Sequence, residues 1–164
     1  MTNSTENPYQ SPTADLVEHG SSQKIFQFKR FSAWGVFGLG IITLGIYTAY
    51  WLVSRSTTTN AIHENKISPT LTSIFIGTTI LSFLSGLLGE SDIAVAASIL
   101  ITLAYLVSYV MVAFKLRNRL REMMEEGSTQ SSPLSGVLTF LFSAIYLQYK
   151  INQYIDTKRV AQQA

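Results

Sequence analysis

The chain has 164 residues, of which 47% are hydrophobic and only 13% charged, with 12 Lys and Arg against 10 Asp and Glu and no cysteine. The missing cysteines exclude disulfides, thiolate nucleophiles and cysteine metal sites, and so slight a positive balance gives no reason to expect a nucleic-acid partner. Almost all of the charge lies between uncharged stretches, which makes the lipid bilayer the solvent for most of the sequence.

Residues 1–28 form a polar tail rich in Asn, Ser, Thr, Gln and Pro, with Leu16 and Val17 the only aliphatic pair before Ile25. So little apolar surface does not offset the entropy of ordering, and Met1 to Gln23 is expected to be disordered. The tail lacks the basic start and apolar core of a secretory signal, so no cleavage is expected and the first apolar run itself directs insertion.

Four runs carry no charge: Phe31 to Ser54, Thr70 to Gly89, Ile93 to Phe114 and Leu134 to Tyr149. At a rise of about 1.5 Å per residue, each crosses or nearly crosses a hydrocarbon core of about 30 Å. The expected fold is an all-α integral membrane domain over 29–156. Its four membrane-embedded helices fall at 31–54, 70–89, 93–114 and 134–150, with amphipathic polar extensions, a weak internal repeat and a C-terminal tail at 157–164.

The first run is glycine-heavy through Gly35, Gly38, Gly40 and Gly45. Small residues let another backbone approach closely, so Gly38 and Gly45 are expected in a helix contact and Ile41 toward lipid. Tyr47, Tyr50 and Trp51 at its end read as an aromatic belt at headgroup level. The string Thr43-Leu44-Gly45-Ile46-Tyr47-x-x-Tyr50-Trp51 closely resembles the signature of a widespread bacterial membrane family, domain of unknown function 4234. The resemblance implies a repeated unit: a membrane helix ending near the motif, a polar helical extension, then a Ser-Pro that starts the next membrane helix. Ser68-Pro69 and Ser132-Pro133 occupy the Ser-Pro positions, serine as N-cap and proline in the first turn. In the last run, Ala144-Ile145-Tyr146-Leu147-Gln148-Tyr149-Lys150 echoes Gly45 to Trp51, departing at Ala144 and Lys150. Fold and an inner-membrane location follow from the resemblance; the family's activity is itself undefined, so no catalytic residue does.

After the third run, Leu116, Leu120, Met123 and Met124 fall on one helical face. Lys115, Arg117, Arg119 and Arg121 crowd its membrane end, a surface for anionic headgroups or a partner helix. Glu122, Glu125 and Glu126 lie at the far end, Arg121 is spaced to pair with Glu125, and Gly127 is placed to stop the helix. Between the second and third runs lie only Glu90, Ser91 and Asp92, which dictates an antiparallel hairpin with Thr78, Thr79 and Thr102 free to bond across or back along it. Basic residues favour the hairpin turn outside and the Lys115 to Arg121 cluster in the cytoplasm. The first and last runs then either cross, leaving both termini outside, or enter and return on one side.

No catalytic constellation is visible, and neither a metal nor another cofactor is expected. His19 and His63 lack ligand spacing and read as solvated, and the acidic residues are all interfacial. The expected function is that of a small bacterial inner-membrane protein that binds or scaffolds, with anionic lipid, other membrane proteins or a second copy of itself as partners. The alternative is a channel or carrier for a neutral or weakly polar solute, supported by the repeat and by Thr43, Gly45 and Thr48, which loosen the first helix locally.

Overall fold

A computed structural model describes residues 24–87, 89, 91–125 and 134–163. The expected disorder of 1–23, the Ser132-Pro133 pair and the stop at Gly127 lie outside these residues. Among the described residues the chain is all helical: α1 (Ala33–Ile42), α2 (Ile46–Ile62), α3 (Pro69–Ser85), α4 (Asp92–Glu125) and α5 (Gly136–Gln163).

The expectation of four membrane-length helices is corrected here. Among the described residues, only Asp92–Met124 is long and apolar enough to cross a membrane; Ala33–Ile42 and Pro69–Ser85 are apolar but shorter. The first run, 31–54, is not one helix. It breaks at Thr43-Leu44-Gly45, where Leu44 has φ 50° and Gly45 φ 91°. The left-handed region carries no Cβ penalty for glycine and a real one for leucine. After the break α2 runs back past the start of α1: the Phe31 and Tyr47 rings lie 6.2 Å apart, and Arg55 Nη2 donates to the Lys29 carbonyl at 2.7 Å.

The last run is also bent. Ser143 has φ 35° and ψ −108° inside α5, and the Ser135 N–H donates to the Tyr146 hydroxyl at 2.9 Å. In a straight helix residues eleven apart are separated by about 16 Å, beyond the reach of a tyrosine, so the two arms of α5 fold sharply toward each other. Leu44 and Ser143 are the only non-glycine residues with positive φ among the described residues. They occupy the same place in the sequence echo, immediately before Gly45-Ile46-Tyr47 and Ala144-Ile145-Tyr146. The repeat is therefore a repeat of a broken helix.

Helices α3 and α4 form the expected antiparallel hairpin. Phe75 stacks on Tyr105 with ring centroids 6.2 Å apart, the Thr78 and Ser108 hydroxyls are 2.9 Å apart, and Ser98 reaches back toward the Ser85 carbonyl at 3.4 Å. Pro69 is at the N-terminus of α3, but Ser68 caps with its carbonyl, which accepts from the Thr72 N–H at 3.2 Å, and not with its side chain.

The core gathers at the polar end. Ile25, Phe28, Leu52, Leu116, Leu120, Met123, Leu147, Ile151 and Ile155 are all buried, so the extensions of α2, α4 and α5 pack on one another and on residues 24–28. The face read from Leu116, Leu120, Met123 and Met124 is the buried one. The apolar halves do the opposite: Ile74, Ile80, Leu84, Ile99, Leu100, Leu103 and Val107 all point outward.

Candidate functional site

The break at Thr43 to Gly45 explains its residue types one by one. Thr43 Oγ1 donates to the Leu39 carbonyl at 2.7 Å and accepts from the Tyr47 N–H at 2.9 Å. The N–H groups of Thr43, Leu44, Gly45 and Ile46 reach the carbonyls of Leu39, Ile41, Gly40 and Thr43 at 2.7–3.1 Å. Every backbone N–H from Thr43 to Tyr47 thus has an acceptor within the chain. Gly45 is required by its conformation and not by a helix contact, since a Cβ there or at Gly38 would meet nothing within 4 Å. The close approach is at Gly40, where a Cβ would come within 2.8 Å of Thr48 Oγ1. The expected packing role of Gly38 and Gly45 is corrected accordingly.

One turn further on, the motif supplies the wall of a polar site. Tyr47 and Tyr50 are 6.0 Å apart at their ring centroids, Tyr50 exposed and Tyr47 half-buried. Trp51 does not lie on an outer belt: it is buried, and its Nε1–H donates to Gln148 Oε1 at 2.9 Å. The same oxygen accepts from Arg55 Nη2 at 3.0 Å, and the Arg55 guanidinium carbon lies 5.7 Å from the centre of the Trp51 ring. Gln148 Nε2 donates to Asn152 Oδ1 at 2.9 Å, and Asn152 Nδ2 to the Phe31 carbonyl at 2.7 Å. This chain of bonds ties α2 to the second arm of α5 and both to the segment before α1. Each buried polar group in it is directional, so the three elements share one register.

Arg55 is the least expected member. It is 7% exposed, its Nε is buried with no hydrogen-bond partner, and it makes no ion pair with a carboxylate among the described residues. Burial lowers its pKa, opposed by the nearby phenol groups of Tyr47 and Tyr50. A guanidinium remains charged under that pressure, so the site holds a positive charge removed from water. Beside it lies a cavity of about 250 Å³ walled by Lys29, Phe31, Tyr47, Tyr50, Trp51 and Arg55.

A second cavity, of about 300 Å³, lies beside the break in α5 and is lined by Val36, Gly40, Thr48, Tyr109, Phe142 and Ser143. Of the echo residues, Ile145 also lines it, Tyr146 is buried against the start of α5, and Tyr149 is exposed. Ile46 is exposed beside the first break.

A family profile described as Domain of unknown function (DUF4234) matches residues 31–122, more than half of the chain. The chain belongs to this family. No curated relative and no solved structure matches it. In this DUF4234 chain the matched region takes in the first broken helix, the α3–α4 hairpin and most of the basic stem, while Gln148 and Asn152 lie beyond it.

The basic stem is partly occupied by its own chain. Arg117 donates through Nε to the Leu134 carbonyl at 2.9 Å and through Nη2 to the same oxygen, and Arg119 Nη1 reaches both oxygens of Glu122 at 2.7 and 2.9 Å. Lys115 and Arg121 are exposed on the same stem. His63 is not solvated, which corrects its expected place: Nδ1 accepts from the Asn65 N–H at 3.0 Å, and Nε2 sits 3.3 Å from a Glu122 oxygen. It is buried because the end of α2 packs against α4. Among the described residues no group of His and acidic side chains is placed to hold a metal.

Proposed function

We propose that the chain is an integral, multi-pass protein of a bacterial inner membrane that acts by binding other membrane components rather than by catalysis. The observation carrying this reading is the exposure of apolar side chains. The most apolar window of α4 is only 11% buried within the protein, and Leu44, at the tip of the first turn, is 82% exposed. Leaving such surface in water would forgo about 25 cal/mol for each Å² that lipid covers.

In the proposed topology α3 and α4 cross as a hairpin. The α1–α2 pair and the two arms of α5 enter from one side and return to it, since α1 is only about 15 Å long. All 12 Lys and Arg then share one side, and Ser91, between α3 and α4 where the sequence has neither, lies on the other. The basic side is placed in the cytoplasm by the positive-inside rule. Partners on that side are anionic headgroups, other membrane proteins or a second copy.

The test is single-cysteine labelling on the naturally cysteine-free chain. A cysteine at Ser91 is expected to react with an impermeant maleimide in whole cells, and cysteines at Gln27, Asn65 and Gln153 only after lysis. Labelling of Gln27 and Gln153 in intact cells would mean that the first and last runs cross fully and would reject this topology.

The break at Ser143, which lines the 300 Å³ cavity, and its counterpart after α1 favour a second reading, a carrier for a neutral or weakly polar solute, because interrupted helices in repeated units are a known basis of transport sites. Flux through the purified, partner-free protein would select it.

A further inference from the structure

Three features converge at the first cavity. Arg55 lines it, is buried, leaves its Nε without a hydrogen-bond partner and has no carboxylate to balance it among the described residues. The other lining side chains are Gln27, Lys29, Phe31, Tyr47, Tyr50, Trp51, Ser54 and Thr58, so the wall contains a second cation and several hydroxyls but no acid. Lys29 and Tyr50 are exposed, so the cavity opens to the outside. A buried charge that has hydrogen bonds but no counter-charge is unfavourable, and an anion held by several donors offsets it.

We propose that this cavity binds a phosphate-bearing anion, supplied by the headgroup of an anionic lipid or by free phosphate. Arg55 is the charged anchor: it lines the cavity, while Gln148 and the Lys29 carbonyl hold Nη2 and fix the plane of the guanidinium. Arginine suits the role because its rigid fork keeps further donors available once two of its bonds are made. Lys29, exposed and also lining the cavity, adds a second positive charge. The rings of Phe31, Tyr47 and Tyr50 line the way in and suit the glycerol and first methylenes of a lipid better than water. This assignment rests on the membrane reading above for its lipid source, but not for its anion chemistry.

The chain has two tryptophans, so Trp34→Phe leaves Trp51 as a fluorescent reporter in the cavity wall. The full-length Trp34→Phe protein in phosphatidylcholine nanodiscs is titrated with dihexanoyl phosphatidylglycerol, dihexanoyl phosphatidylcholine and inorganic phosphate. A saturable change in Trp51 emission is expected, weakened about tenfold or more by Arg55→Gln, as for loss of a charge-assisted bond. The exposed variant Lys29→Glu, which leaves the core intact, should weaken it several-fold. Saturation by phosphatidylglycerol alone assigns a lipid headgroup, and equal binding of phosphate assigns the free anion. No response to either anion, an equal response to phosphatidylcholine, or anion affinity unchanged in both variants overturns the proposal and leaves the membrane reading standing. Should the chain instead fail to enter nanodiscs and remain in solution, the membrane reading falls, and the phosphate titration in buffer alone decides the anion site.

Discussion

Replacing Gln148 by Leu tests the buried polar chain directly. Gln148 is fully buried, and its amide serves Trp51 Nε1, Arg55 Nη2 and Asn152 Oδ1 at 2.9, 3.0 and 2.9 Å. Leucine fills similar space and bonds none of them. The stranded indole N–H costs about 1–3 kcal/mol, and the lost charge-assisted bond costs about as much again, although Arg55 keeps the Lys29 carbonyl. The added apolar burial returns about 1–2 kcal/mol. The net expectation is a loss of about 2–4 kcal/mol, read by reversible unfolding in mixed micelles followed by circular dichroism. Adding Trp51→Phe should recover about 1 kcal/mol, because the stranded donor then no longer exists. A Gln148→Leu protein within about 0.5 kcal/mol of the parent, or no recovery in the double variant, would show that these bonds do not hold α2 to α5.

Gly45→Ala should cost about 1–2 kcal/mol through the left-handed backbone alone, measured in the same unfolding assay, while Gly38→Leu should be tolerated. Gly40→Leu should sharply lower accumulation in the membrane fraction, since Thr48 already stands at the limit of approach; normal accumulation would mean that α1 and α2 do not touch there. Glu122→Gln should change stability by less than about 1 kcal/mol, because its carboxylate is more than a third exposed and its ion pairs are screened; a larger loss on unfolding would show that His63 depends on it. Washing membranes with alkaline carbonate should leave the chain in the pellet, and its release would remove the premise of the topology.

Hydropathy located the apolar stretches and the α3–α4 hairpin, because charge exclusion and a three-residue turn leave little choice there. The stem face of Leu116, Leu120, Met123 and Met124 was equally legible from helical spacing, and all four residues are buried. The helix breaks were not. A run with no charge or proline reads as continuous, and only Thr43 and Gly45 hint at the first turn, while Ser143 carries no local signal at all. In the sequence Gln148 stands as one polar residue among apolar ones. Its phase beside Leu147 and Ile151 was the available clue, since an amide on a buried face needs partners. The burial of Arg55 has no local sign in the sequence, because it depends on Lys29 and Gln148, distant in sequence and brought near by the two folded-back runs.

The shared place of Leu44 and Ser143 in the repeat has a mechanical consequence under the proposed topology. Two hairpins that turn at mid-depth add cross-section to one leaflet, while the α3–α4 pair adds it equally to both. Each copy of the protein then displaces more lipid from the cytoplasmic monolayer than from its opposite. The area mismatch makes the molecule a wedge, and its insertion bends a thin sheet toward the cytoplasm in proportion to the number of copies it holds.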